Sequence, residues 1–165
     1  MVAASILPVT IYKNKLHFLF GKENPNEKSA PGWSDFGGRI ETGETPYQAA
    51  LREGSEELSG FLGNEKQLKS LMRKNGGTMK LKHNNYYVYL FYIDYDEGLP
   101  LHFNNSHYYM WDKIDQKLPF FEKIEINWFT VEEMNKNRNI FRPFYREIVD
   151  LLIKNKQDIH KFIYA

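Results

Sequence analysis

Residues 86–93, Tyr-Tyr-Val-Tyr-Leu-Phe-Tyr-Ile, constrain the fold more than any other stretch of the chain. The run is aromatic, β-branched and apolar on both faces, which predicts a strand in the middle of a sheet. Two further strands are expected at Ile6–Tyr12 and Leu16–Phe20, joined by the polar turn Lys13-Asn14-Lys15. Pro8 in the first of these suits an edge or a strand start better than a central position. Pro119 to Phe129 reads as a loop entering a strand, with Ile124, Ile126 and Trp128 alternating on one side. Helical spacing of Leu68, Leu71 and Met72 predicts a short amphipathic helix over Glu65 to Lys74, stopped by Gly76-Gly77. Thr130 and Glu133 read as another helix start, and Arg142-Pro143 as the opening of a last helix that packs Phe144, Ile148, Leu151 and Leu152 on the sheet. Asn24–Ala30 and Asp94–Pro100 read as loops. No repeat, linker or low-complexity tract interrupts the chain, so residues 1–165 are expected to form a single domain.

Composition excludes several classes. A hydrophobic share of 42% with 16% aromatics argues against disorder, and no run of apolar residues is long enough to span a membrane. Nothing resembles a signal peptide and cysteine is absent, which fits a soluble, cytoplasmic protein without disulfides. A net charge of +1 excludes a grossly basic nucleic-acid binder. The distribution is less even: between Phe61 and Asn85 six lysines and arginines stand against Glu65 alone.

The stretch Gly38 to Gly60 carries the chemistry. Thr45 can cap a helix, Pro46 fits its first position, and Gln48 completes a capping box with Thr45. In that helix Glu53, Glu56 and Glu57 stand at i, i+3 and i+4, so three carboxylates share a face beside an apolar one formed by Tyr47, Ala50, Leu51, Gly54, Leu58 and Phe61. Like charges at this spacing oppose one another, and they lie near the helix C-terminus where the dipole disfavours anions. Hard oxygen donors without any cysteine favour Mg²⁺ or Mn²⁺ over zinc.

The spacing from Gly38 through Glu44 and Arg52-Glu53 to Glu56-Glu57 resembles the signature of the Nudix hydrolases, G-x5-E-x7-R-E-U-x-E-E-x-G-U, where U is a bulky aliphatic residue. The chain departs from it at Gly54 and Gly60, both U positions, and at Ser59, where the family has glycine. Phe36 replaces a common proline before the double glycine. The displaced Gly60 predicts a helix running one residue further, and Gly54 predicts a close backbone approach on the packing face. The resemblance implies an α/β fold in which a mixed β-sheet is sandwiched between α-helices. It also implies hydrolysis of a nucleoside diphosphate linked to another moiety.

Carried over to this chain, the resemblance makes the Gly38 carbonyl, Glu53, Glu56 and Glu57 metal ligands. Arg52 would fix Glu53, Arg39 would lie near the leaving phosphate, and Glu41 or Glu44 would act in support. The base would be Glu53 or a loop acid ahead of Trp128, with Glu122 first by position and Glu125 second. Lys22 is a candidate phosphate contact, and Tyr86 or Tyr87 could stack on a nucleobase. The substrate expected is a nucleotide. Capped RNA is the alternative, favoured by the aromatic clusters and the basic strip, and suited to a virus with the AT-rich coding that abundant Lys, Asn and Tyr suggest. Inositol pyrophosphate and a non-catalytic binding module complete the alternatives.

Overall fold

The computed structural model describes residues 2–27, 31–74 and 76–164. Residues 28–30 of the expected loop lie outside this range; of its other residues, Asn24 is buried. Among the described residues seven strands, β1 (Ala3–Tyr12), β2 (Lys15–Glu23), β3 (Trp33–Ser34), β4 (Phe36–Arg39), β5 (Thr78–His83), β6 (Tyr86–Tyr92) and β7 (Lys123–Thr130), form one mixed sheet. β6 is internal, parallel to β1 on one edge and antiparallel to β5 on the other. β1 and β2 pair only between Val9–Tyr12 and Lys15–Phe18 and then diverge. β3 and β4 fill the wedge, β4 against Ala3–Ile6 and β3 against Gly21–Lys22, while β7 covers the far edge of β2.

That divergence explains Pro8, which lies within a central strand rather than at an edge or start. The Ala3 amide and the Val9 carbonyl both bond toward β6, so by alternation the Pro8 nitrogen points the other way. There it meets the gap where β1 has left β4 and not yet joined β2, and no ladder bond is lost.

Helices cover both faces. On one, α1 (Pro46–Glu57), α2 (Glu65–Arg73) and α3 (Gly98–Met110) bury Ile6, Leu19, Phe91, Ile126 and Trp128. On the other, α4 (Val131–Lys136), α5 (Arg146–Lys154) and α6 (Lys156–Tyr164) bury Leu7, Phe18, Phe20, Leu90 and Phe129. Neighbouring strand residues alternate between the two cores. Among the described residues, no helix is long and apolar enough to cross a membrane.

Three elements differ from expectation. Gly98–Pro100 begin α3 rather than ending a loop; Asp96 accepts the Gly98 amide, and Pro100 sits in the first turn, where no amide is needed. The last helix divides into α5 and α6, and Phe144 is not packed on the sheet but 47% exposed. Finally, α1 ends at Glu57 rather than running on. Ser59 takes the left-handed conformation (φ 53°), and the Gly60 and Ser59 amides bond back to the carbonyls of Ser55 and Glu56. Ser59 thus fills the glycine position of the motif, with its Oγ 3.1 Å from His107 Nε2 and donating to the Phe120 carbonyl. Ser59→Gly should therefore change stability by less than about 1 kcal/mol, relieved strain offsetting lost bonds. Ser59→Ala, which keeps the strain and loses the bonds, should cost about 1–2 kcal/mol in denaturant unfolding.

Candidate active site

The amino end of α1 forms as its sequence dictates. Thr45 Oγ1 accepts the Gln48 amide, Gln48 Oε1 accepts the Thr45 amide, and Pro46 opens the first turn. The helix then lies against β1 and β4, with Gly54 over Ile6: a Cβ there would fall 2.5 Å from Ile6 Cδ1 and Cγ1. This contact accounts for glycine at a position where a large aliphatic residue was the rule, and it sets the depth at which the carboxylates sit.

Glu53, Glu56 and Glu122 each place a carboxylate oxygen within 4.8 Å of the others. Glu122 arrives from the short 3₁₀ turn Pro119–Phe121, just ahead of β7. Arg52 holds the rear of the group. Its Nε and Nη2 donate to both oxygens of Glu44 (2.8 and 2.9 Å), its Nη1 donates to Glu53 Oε1 (2.8 Å), and Nη2 also reaches the Arg39 carbonyl. The Arg52 guanidinium holds the Glu44 carboxyl down to about 2. Gly38 leaves the space that Glu53 occupies, since a Cβ on Gly38 would lie 2.7 Å from the Glu53 carboxyl carbon. Gly37 is equally constrained: its amide donates to Glu57 Oε1 at 2.7 Å, and a Cβ would meet the Ala4 carbonyl.

Glu57 points inward. It is buried, and desolvation pushes its pKa well up, opposed by Lys123 and reinforced by Glu23 and Glu122. Glu122, half-buried, is pushed up to about 7, first by desolvation and then by Glu56, Glu53 and Glu23. Behind them lies a cation that sequence reasoning did not single out: Lys123, 1% exposed, donates to Ser34 Oγ (2.8 Å) and pairs with Glu23 (3.2 Å), which Arg142 also approaches (3.5 Å).

On the other side of Gly37-Gly38 a cavity of about 550 Å³ opens at the end of the sheet. Arg39, His83, Asn84, Tyr86, Arg142 and Phe144 are among the residues that line it. Its floor includes Asp35, buried, which accepts hydrogen bonds from Ser5 Oγ and Tyr86 Oη. Burial pushes the Asp35 carboxyl up, against the Ser5 and Tyr86 hydroxyls. The Arg142 guanidinium stacks on Phe144, 4.9 Å from the ring centre.

Comparison with known proteins decides the family. The model of the NUDIX domain matches residues 1–152. The chain belongs to the Nudix family. Solved structures of similar fold include the C. elegans Ap4A hydrolase binary complex (18% identity, TM-score 0.57, covering 96% of this chain and 98% of that one). The Nudix hydrolase RenU of M. smegmatis is 14% identical at a TM-score of 0.58, covering 96% and 88%. A bifunctional NMN adenylyltransferase/ADP-ribose pyrophosphatase from Francisella tularensis, complexed with AMP and a manganese ion, is 16% identical at 0.55, covering 94% of this chain and 42% of that one. A 59-residue stretch is 44% identical to the uncharacterized protein L534 of Acanthamoeba polyphaga mimivirus, which amounts to 34% of this chain and only 19% of that protein.

Within this Nudix frame the sequence-based residues divide clearly. Arg52, Glu53, Glu56 and Glu122 come together, with Gly38 against Glu53. Glu57 lies on the buried side of that group, and Glu125, paired in register with Lys22, stands apart from it. Tyr86 and Arg39 line the cavity, whereas Tyr87 turns to the opposite sheet face. Lys22 shares the Phe18 and Phe20 face, away from the carboxylates, and does not line the cavity. The aromatic cluster of α3 is in part a packing device: His107 is buried between the Phe103 and Phe120 rings, at 3.7 and 4.0 Å. Lys123, Glu23 and Asp35 were missed because their partners are tens of residues distant in sequence, and no local spacing marks them.

Proposed function

We propose that this Nudix pyrophosphohydrolase cleaves a phosphoanhydride in a nucleoside diphosphate linked to a second group, with Mg²⁺ or Mn²⁺ as cofactor. The observation that carries this reading is the convergence of Glu53, Glu56 and Glu122 beside Gly38, which also borders a cavity of nucleotide size. Three carboxylates without sulfur or imidazole fit a hard divalent ion, which the Gly38 carbonyl and Glu57 would help to hold. Bound there, the ion would neutralise phosphate charge and stabilise the attacking and leaving oxygens.

The chain's own residues supply the rest. Arg52 keeps Glu53 turned toward the cluster, and Glu44 keeps Arg52 in place. Glu122, entering the group from the turn ahead of β7, is placed to take the proton of the attacking water at its carboxylate oxygen. Arg39 and Arg142 offer positive charge to the phosphates, and Phe144, half exposed, offers a face to the base. Tyr86 and Phe144 are in contact (5.9 Å, 51°), leaving no gap for a ring between them. A methylated cap held between two parallel rings is therefore disfavoured in this cavity. An inositol pyrophosphate would call for more cations than Arg39, Arg142 and His83, the last of which pairs with Glu147.

The direct test is a Mg²⁺- and Mn²⁺-supported screen of dinucleoside polyphosphates, ADP-ribose, nucleoside triphosphates, capped RNA and inositol pyrophosphates, with products identified. A nucleoside phosphate released from a nucleotide substrate is expected; ligand-induced stabilisation without any product would contradict the reading.

The raised Glu122 pKa gives a second, independent check. The folded state holds the Glu122 proton up to about pH 7 and the unfolded state only to about 4.5, so its stabilising effect is present below 4.5 and lost as pH rises to 7. Without divalent ions, Glu122→Gln should therefore gain melting temperature relative to wild type as pH goes from 5 to 8. An unchanged difference across that range would remove Glu122 from the acidic cluster.

A further inference from the structure

The strip of positive charge in residues 61–85 takes a definite shape in the fold. Six cations there leave the remainder of the chain with sixteen positive against twenty negative residues, so positive charge is segregated. Lys66, Lys69 and Arg73 recur at i, i+3 and i+7 along one stripe of α2, and all are exposed. Lys80 and Lys82 project from β5 on the face that carries α1 and α2, because Met79 and Leu81 turn to the opposite core. None of these five makes an ion pair among the described residues.

Aromatic rings alternate with these charges. The ammonium groups of Lys82 and Lys80 lie over the half-exposed Tyr87 ring at 5.1 and 5.9 Å. Tyr89, opposite Lys80 in the sheet, contacts the half-exposed Tyr47 at 5.2 Å, and Arg73 is near enough for its charge to act on the Tyr47 phenol. The patch also leads to the reaction centre. Lys82, Tyr87, Ala4 and Gly38 are partners in one row across β5, β6, β1 and β4, which places Lys82 about 14 Å from Gly38. The next residue, His83, turns to the other face and lines the cavity, as do Asn84 and Asn85 of the turn that follows, so patch and cavity meet around the end of the β5–β6 hairpin. Lysines on an edge strand also deter unwanted strand pairing, but that accounts only for Lys80 and Lys82 and not for the stripe on α2 or for the interleaved rings.

We propose that the α2–β5 surface binds the backbone of a single-stranded polynucleotide whose end turns past the Asn84-Asn85 corner into the cavity on the other face, with Tyr87 and Tyr47 as stacking platforms between phosphate-binding cations. This rests on the nucleotide reading of the cavity and extends it. Cations with interspersed rings along one surface are what a single strand requires, since its phosphates and its unpaired bases must both be met.

The test is fluorescence anisotropy of a labelled single-stranded RNA dodecamer in EDTA, so that no cleavage occurs. Lys80→Gln/Lys82→Gln should weaken binding about tenfold at 100 mM salt and lower the salt slope by roughly 1.4, two phosphate contacts at about 0.7 each. Tyr87→Leu should weaken binding about tenfold with the slope unchanged. Lys154→Gln/Lys156→Gln, on the opposite face, should change neither. Wild-type affinity in the Lys80/Lys82 variant, or an equal loss in the Lys154/Lys156 control, would overturn the proposal. So would full affinity in Tyr87→Leu together with equal competition by inorganic polyphosphate. Hydrolysis of a dinucleoside polyphosphate by the wild-type protein reads the cavity alone, so its absence would count against the reaction while the RNA-binding result would still decide the surface.

Discussion

Glu53→Gln should lower metal-dependent turnover at least a thousandfold while leaving the fold intact. Glu53 has two assigned tasks: its carboxylate belongs to the converging group of three, and it accepts the Arg52 Nη1 hydrogen bond that orients it. The substitution removes one negative charge from the ion's surroundings and leaves a single amide oxygen, which cannot both accept from Arg52 and face the cluster as the two carboxylate oxygens do. A loss of about 4 kcal/mol in transition-state stabilisation corresponds to that factor. Stability should move little or rise in the absence of metal, because a like-charge contact with Glu56 and Glu122 is relieved. Glu57→Gln is expected to behave similarly, since the amide oxygen can still accept the Gly37 N–H. Turnover within tenfold of wild type for Glu53→Gln, measured at saturating Mg²⁺, would remove it from the metal-holding set.

A second large effect is expected at a residue that touches no substrate. Gly54 costs roughly 1 kcal/mol of helix propensity against alanine, so Gly54→Ala would stabilise an isolated α1. In the protein the outcome reverses. The added Cβ would stand 2.5 Å from two atoms of Ile6, which is fully buried. Overpacking of this kind costs about 1–3 kcal/mol, and Gly54→Ile, restoring the aliphatic residue type of the Nudix pattern, should exceed that range. The helix would have to lift from β1 and carry Glu53, Glu56 and Glu57 with it, so activity should fall together with stability. Combining Gly54→Ile with Ile6→Ala moves the bulk from strand to helix and should recover most of both. Chemical denaturation of the two single variants and the pair decides the matter; a Gly54→Ile protein as stable as wild type would show that the contact does not set the helix depth.

These two residues also show where the sequence was legible. The start of α1, its acidic face and the close approach at Gly54 follow from local spacing, because capping, helical periodicity and the absence of a side chain are properties of neighbouring positions. Glu122 could be placed by its distance from Trp128. The end of α1 was misjudged because Ser59 takes a left-handed conformation that its residue type does not announce, supported by His107 and Phe120 from elsewhere in the chain. Pro8 was misjudged because the split between β1 and β2 is a property of the whole sheet. Phe144 follows helical spacing with Ile148, yet the chain enters α5 through the 3₁₀ turn Pro143–Tyr145, and the ring is turned out beside Arg142. Lys123 is the clearest illegible case: a lysine between Glu122 and Ile124 looks solvated until the fold brings Ser34 and Glu23 to it.

The account depends on a divalent cation seated among Glu53, Glu56 and Glu122 beside the Gly38 carbonyl. Anomalous diffraction from manganese-soaked crystals tests this most directly. The expected result is a peak within coordination distance, about 2.2 Å, of Glu53 and Glu56 oxygens. Full manganese occupancy elsewhere on the protein, with those carboxylates facing bulk solvent, would contradict it.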